Sequence, residues 1–128
     1  MFQLDGIDHV AIAVRNVPRS VEWYRTVLRL ERWHEDVWGD CPAIVGIGTT
    51  AIALFPVSGG EPAPVPGRSA LGMRHVAFRA TAANFADAQQ ALTRQGIAFE
   101  FQDHRISHSI YFSDPDGHQI EITTYEIG

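Results

Sequence analysis

An α+β fold of two β-α-β-β-β modules, eight strands and two helices in one chain, is what this sequence predicts, and three observations predict it. Gly6-Ile7-Asp8-His9-Val10-Ala11 recurs as Gly72-Met73-Arg74-His75-Val76-Ala77, keeping G-x-x-H-V-A at an offset of 66 residues. Ile52-Ala53-Leu54 falls opposite Ile120-Glu121-Ile122 at an offset of 68, the two extra residues fitting a longer turn at Asp114-Pro115-Asp116-Gly117. Between the copies, Pro56 to Gly67 holds four of the seven prolines, the composition of a connector. A duplication constrains the whole fold, so two similar modules related by a pseudo-twofold are expected. The 128 residues suffice for one domain, with a first module at about 1–57, a linker at about 58–70 and a second module at about 71–128.

Each element follows from local pattern. His9–Val14 alternates His9, Ala11 and Ala13 with Val10, Ile12 and Val14, the two-residue period of a strand. Pro18 suits a first helical turn, and Val17, Val21, Tyr24 and Val27 or Leu28 recur at helical spacing, so a helix is expected from about Pro18 to Leu28. Strands are expected around Leu30–Val37, Ala43–Gly46 and Thr50–Phe55. The second copy opens with a strand at His75–Arg79. A helix follows from about Ala83 to Arg94, with Phe85, Ala88 and Leu92 on one face and Gly96 as C-cap. Ile97–Phe101, Ser107–Phe112 and His118–Thr124 complete the strands, and Asp114–Gly117 reads as a turn with proline at its corner.

Composition narrows the function. The hydrophobic share of 45% and charged share of 20% are those of a globular chain. Its longest apolar run, Ala51–Val57, is far too short for a membrane helix. The start of the chain has neither the basic nor the apolar region of a signal peptide, and a single cysteine, Cys41, allows no internal disulfide; a cytoplasmic protein is expected. A net charge of -5 disfavours nucleic acid as partner. All ten basic residues are arginine, so Schiff-base catalysis by lysine is excluded.

Strand parity gathers the polar residues. Each helix must cover the branched aliphatic face of its module. The other faces carry His9, Ala11 and Ala13; His75, Ala77 and Arg79; and Glu121, Thr123 and Tyr125. The repeat makes His9 equivalent to His75 and Ala53 equivalent to Glu121. Two imidazoles and one carboxylate form a divalent-metal pattern with open coordination positions, so His9, His75 and Glu121 are the expected ligands. Fe(II) or Mn(II) is favoured; Zn(II) and Ni(II) also suit such donors.

The chain resembles the vicinal oxygen chelate superfamily, also called the glyoxalase/bleomycin resistance/dioxygenase superfamily. Gly6–Val14, Val21-Glu22-Trp23-Tyr24, Arg74–Phe78 and Ile110–Ile122 carry the resemblance, the last most specifically. It implies paired βαβββ modules, eight strands forming a cupped sheet with helices outside, a metal in the cup, a small-molecule substrate and a homodimer. Relatives assemble the site within one chain or across two. Arg29-Leu30 departs from the pattern, since many members have a glycine after the leucine.

Three reactions follow from that resemblance. A dioxygenase-like reaction on a vicinal-oxygen substrate leads: His104, Ile110-Tyr111, Asp114-Pro115-Asp116-Gly117 and Glu121 follow the extradiol signature, with Gln102 departing from it. There Tyr111 would hydrogen-bond bound oxygen, and His104 or His108 would move protons. A glyoxalase-like isomerase would need an acid where Ala53 stands. A thiol transferase of the fosfomycin-resistance type would share His, His and Glu, with only arginines such as Arg74 and Arg79 for its anion. From a different class, a metal-free binding or resistance protein would need an aromatic cleft, for which Trp33, Trp38, Phe99 and Phe101 are available.

Overall fold

The computed structural model describes residues 1–128, which divide into two compact units, Met1–Ala63 and Pro64–Gly128. Unit one holds β1 (His9–Val14), α1 (Val17–Thr26), β2 (Glu31–Trp33), α2 (Glu35–Trp38), β3 (Ala43–Ile47) and β4 (Thr50–Pro56). Unit two holds β5 (Val76–Arg79), α3 (Ala82–Arg94), β6 (Glu100–Asp103), β7 (His108–Ser113) and β8 (Gln119–Thr124). The eight strands are shared between two four-stranded sheets of the same topology, β1-β4-β3-β2 and β5-β8-β7-β6. In each, the first and last strands of the module pair in parallel and the other pairs are antiparallel. No helix is long and apolar enough to cross a membrane.

The registers reproduce the repeat. Ala11 pairs with Ala53 in the first sheet and Ala77 with Glu121 in the second, the offsets of 66 and 68 read from the sequence. Ala53 therefore occupies the same place in its sheet as Glu121 does in the other.

Side-chain alternation decides what the helices cover. Val17, Val21 and Tyr24 of α1 are buried with Val14, Val45, Ile52 and Leu54. Phe85 and Leu92 of α3 are buried on the corresponding side of the second sheet, with Ile110, Phe112 and Ile120. Asn16 caps α1, its Oδ1 accepting from the Arg19 amide at 2.9 Å, and Thr81 caps α3, its Oγ1 accepting from the Asn84 amide at 3.1 Å. Gly96 ends α3 at φ 72°, as expected of a C-cap, and the amide of Ile97 returns to the carbonyl of Leu92 at 2.9 Å. Past the end of α1, the left-handed place is taken by Arg29 at φ 59°, in the very stretch where the sequence departs from the superfamily's glycine.

Two expectations change. The strand expected over Leu30–Val37 shortens to β2, and Glu35–Trp38 forms the short α2 instead. Arg32 explains the turn: its guanidinium donates to the Gly39 carbonyl at 2.6 Å and to Asp40 at 3.0 Å, drawing the chain back on itself. The strand expected over Ile97–Phe101 begins only at Glu100, because the amide of Ile97 is used to close α3.

On the uncovered face of the first sheet, Trp33 packs against Ile44, Ala51 and Ala53. This requires a glycine at position 46, where a Cβ would lie 2.4 Å from the Trp33 ring and 2.7 Å from the Thr50 carbonyl.

Candidate functional site

The uncovered face of the second sheet is polar. Glu121 on β8, Tyr111 and Ser109 on β7 and Gln102 and Glu100 on β6 share it by register, since Glu121 pairs with Tyr111, Tyr111 with Glu100 and Ser109 with Gln102. His75 immediately precedes β5, and its Nε2 lies 2.8 Å from Glu121 Oε1. The Glu121 side chain is only 10% exposed. A buried carboxylate needs donors, and Ser109 Oγ supplies one at 2.6 Å to Oε2, itself backed by Thr123 Oγ1 at 2.9 Å. The two carboxylate oxygens are thus divided: one is held by the hydroxyl, the other faces the imidazole.

Tyr111 joins this pair. Its ring meets His75 edge to face at 5.6 Å, and its hydroxyl lies 2.9 Å from His104 Nε2. Burial pushes the Tyr111 hydroxyl above its ordinary value of 10, and the negative charge of Glu121 and a hydrogen bond to it add to the rise; Ser109 and the positive charge of Arg74 oppose it. The phenol therefore keeps its proton at neutral pH. A carboxylate only accepts, so Tyr111 donates toward Glu121, and the Nε2–H tautomer of His104 donates to the Tyr111 oxygen.

The turn into β8 fixes the register that all of this needs. Asp114 is buried, and its Oδ1 accepts from the amides of Asp116 and His118, each at 2.9 Å, while Gly117 takes φ 92°.

In unit one, His9 stands at the start of β1, on the same face as Ala11 and Ala13. Its Nδ1 donates to Asp8 Oδ2 at 2.8 Å. That bond fixes the tautomer and leaves Nε2 with a lone pair, the usual state of a metal-ligating histidine. In neither unit do three His, Cys, Asp or Glu side chains converge.

The donor chemistry suits a divalent cation. His75 Nε2 and Glu121 Oε1 already share one position at 2.8 Å, where a cation would replace the shared proton. Two protein donors leave coordination to be completed by further ligands.

Tyr111, expected to hydrogen-bond bound oxygen, lies on the Glu121 face with His104 against its hydroxyl; of the two histidines expected to move protons, His108 is not brought there. His108 pairs with Asp103 and Thr124, and its side chain lies 5.1 Å, ring to ring, from Phe101, which in turn meets Phe85 of α3. It sits on the helix-covered side of the sheet, with Asp103 at 3.6 Å. Of the aromatic side chains, Phe101 is on that same covered side of the second sheet, and in unit one the Trp38 ring meets that of His34 at 5.3 Å. Arg79 shares the Glu121 face but stacks over the Tyr125 ring at 4.8 Å. Sequence reasoning missed Ser109 and Asp8. Both were accessible, Ser109 by sharing the parity of Tyr111 and Asp8 by adjacency to His9.

The profile of the Glyoxalase/Bleomycin resistance protein/Dioxygenase superfamily matches residues 6–122. Metallothiol transferase FosB of Staphylococcus epidermidis is 30% identical over 126 residues, covering 94% of this chain and 84% of that protein. Biphenyl-2,3-diol 1,2-dioxygenase 3 of Rhodococcus globerulus is 29% identical over 121 residues, covering 89% of this chain but 60% of that protein. Both relatives are enzymes. Among solved structures, a glyoxylase/bleomycin resistance protein/dioxygenase domain from Frankia sp. EAN1pec shares the fold with a TM-score of 0.80 at 24% identity, covering 98% of this chain and 96% of that one.

Proposed function

Because the chain belongs to the glyoxalase/bleomycin resistance protein/dioxygenase superfamily, we propose that it is a divalent-metal-dependent enzyme acting on a small substrate with two adjacent oxygens, by dioxygenase-like chemistry. The observation that carries this reading is the pairing of His75 with Glu121 beside the Tyr111–His104 hydrogen bond on one face of the second sheet. His75, Glu121 and His9 are the proposed ligands, with Fe(II) or Mn(II) as the favoured ion. When bound, the ion supplies Lewis-acid polarisation of the two substrate oxygens and, if iron, redox chemistry with O2.

The chain's own residues supply the rest. Ser109 holds Glu121 through Oε2, so that Oε1 keeps its aim. Asp8 orients His9 through Nδ1. Tyr111, kept protonated by its surroundings, donates a hydrogen bond to a substrate oxygen on which negative charge develops, and His104 behind it orients the phenol through its oxygen. His108 has no part in this scheme, because it lies on the opposite face.

A second reading, thiol transfer of the fosfomycin-resistance type, is favoured by the nearly full-length similarity to metallothiol transferase FosB. A working homodimer in the cytoplasm completes the proposal. The apolar side chains left exposed before β1 and β5, among them Phe2, Ile7 and Met73, are consistent with pairing. Light scattering decides the assembly by returning once or twice 14.2 kDa.

The two reactions separate in one experiment. Protein loaded anaerobically with Fe(II) is given catechol and O2; protein loaded with Mn(II) is given fosfomycin and a thiol. Oxygen uptake that requires iron and is lost in His75→Ala supports the dioxygenase. Thiol consumption without oxygen uptake replaces it with the transferase.

A further inference from the structure

A cleft of about 460 Å³ opens on the polar side of unit two, a volume suited to a small molecule. The segment leading into β5 forms one wall, with Arg68, Arg74 and His75; β6, β7 and the start of β8 form the other, with Gln102, Tyr111 and Gln119. Its charge is uneven. Glu100 also lines it, but that carboxylate already accepts from Gln102 Nε2 at 3.1 Å. Gln119 Nε2 is engaged with Ser113 Oγ at 2.7 Å.

Arg68 and Arg74 differ from the arginines that have partners. Arg15 faces Glu61, Arg32 holds Glu35 and Asp40, and Arg79 covers the Tyr125 ring. Neither Arg68 nor Arg74 makes a hydrogen bond or an ion pair. Arg74 adjoins His75 in the chain and lines the same cleft as His75 and Tyr111, and its positive charge reaches the Tyr111 hydroxyl. A guanidinium is a planar fork of donors matched to the two oxygens of an oxyanion. Two of them, unpaired and at one wall of a small cleft, are a recognition element without its partner.

We propose that Arg68 and Arg74 form an anion subsite next to His75, so that the enzyme's substrate carries an oxyanion group, a carboxylate or a phosphate or phosphonate, in addition to the oxygens presented to the metal. This deepens the functional reading by adding a charge to the substrate, and rests on that reading only for the substrate's position beside the metal ligands.

The test is calorimetric titration of the metal-free protein, at low ionic strength, with inorganic phosphate and separately with acetate. Wild type is compared with Arg74→Gln, Arg68→Gln and, as control, Arg79→Gln. Melting curves verify that each variant is folded. The subsite requires saturable binding of at least one anion, weakened tenfold or more in Arg74→Gln, weakened several-fold in Arg68→Gln and unchanged in Arg79→Gln. Preference for phosphate or for acetate then assigns the group. No binding by wild type, equal binding by Arg74→Gln, or equal loss in Arg79→Gln overturns it. Metal content of the same samples after Mn(II) loading separates the two proposals. Metal bound without arginine-dependent anion binding removes the subsite alone. Arginine-dependent anion binding in a protein that takes up no metal removes the metalloenzyme reading and leaves the subsite.

Discussion

Ser109→Ala strikes the support of the site without touching its proposed ligands. Ser109 is fully buried, and its hydroxyl gives Glu121 a 2.6 Å hydrogen bond. Hydrogen bonds to a charged group contribute about 1.5–3 kcal/mol. Thr123 loses a 2.9 Å contact as well but keeps the His108 carbonyl at 3.3 Å, which offsets part of that loss. Removing one oxygen leaves too small a void to hold a water in the hydroxyl's place. The metal-free variant should therefore lose about 2 kcal/mol, in the range expected when a buried carboxylate loses a donor. Urea unfolding at neutral pH, followed by far-UV dichroism, measures it. Glu121 would also be free to rotate, so Mn(II) affinity should fall by roughly 10–100-fold, the usual cost of losing a partner that orients a ligand. Ser109→Cys, with a weaker donor of similar shape, should lie between. A variant within about 0.5 kcal/mol of wild type, the range of ordinary surface changes, and with unchanged Mn(II) affinity, would refute the idea that Ser109 orients Glu121.

Further expectations concern other elements. Gly46→Ala places a Cβ against both the Trp33 ring and the Thr50 carbonyl; it should destabilise unit one by about 1–3 kcal/mol and shift tryptophan fluorescence, as overpacking does. Ser20 is fully buried in α1 with no partner for its hydroxyl, so Ser20→Ala should raise stability by about 0.5–1.5 kcal/mol in urea unfolding, from relief of the unpaired group and better helix propensity. Arg29→Gly should be stabilising by up to about 1 kcal/mol, because the left-handed φ of 59° strains an L side chain and not glycine; a lower urea midpoint would contradict this. The raised Tyr111 value favours the neutral phenol in the folded state, so its stabilisation is present below pH 10 and lost as pH rises through the higher folded value. Phenolate absorbance of the metal-free protein should show one late-titrating phenol fewer in Tyr111→Phe than in wild type.

The repeat made most of the fold legible. Offsets of 66 and 68 residues put Ala53 and Glu121 in equivalent places, as the registers bear out; which strands pair within each module was not readable from them. Periodicity could not reveal α2, whose four residues are one turn held by Arg32. Nor could local pattern say that Arg29 would adopt a left-handed backbone, although its place in a glycine position was the sign. At the site, parity served where it was applied. It put His75 and Glu121 on faces turned from the helices, whereas Tyr111 enters by its motif alone; the register then sets Tyr111 beside Glu121 and separates it from His108, since 108 and 111 differ by an odd number. His104 lies in a loop beyond the reach of parity; only the spacing of its motif pointed to Tyr111, and the 2.9 Å contact agrees. The Ser109–Glu121 bond depends on a register across two strands, so it needed the pairing of β7 with β8 before it could be named.

The central claim is that His9, His75 and Glu121 hold one divalent ion. Metal content per chain, measured on protein loaded with Fe(II) or Mn(II) and freed of excess, tests it most directly, with His9→Ala, His75→Ala and Glu121→Gln alongside. The account requires one metal per active site in wild type and loss in each variant, His9→Ala included. Metal absent from wild type after loading, or retained in full by His75→Ala and Glu121→Gln, would contradict it.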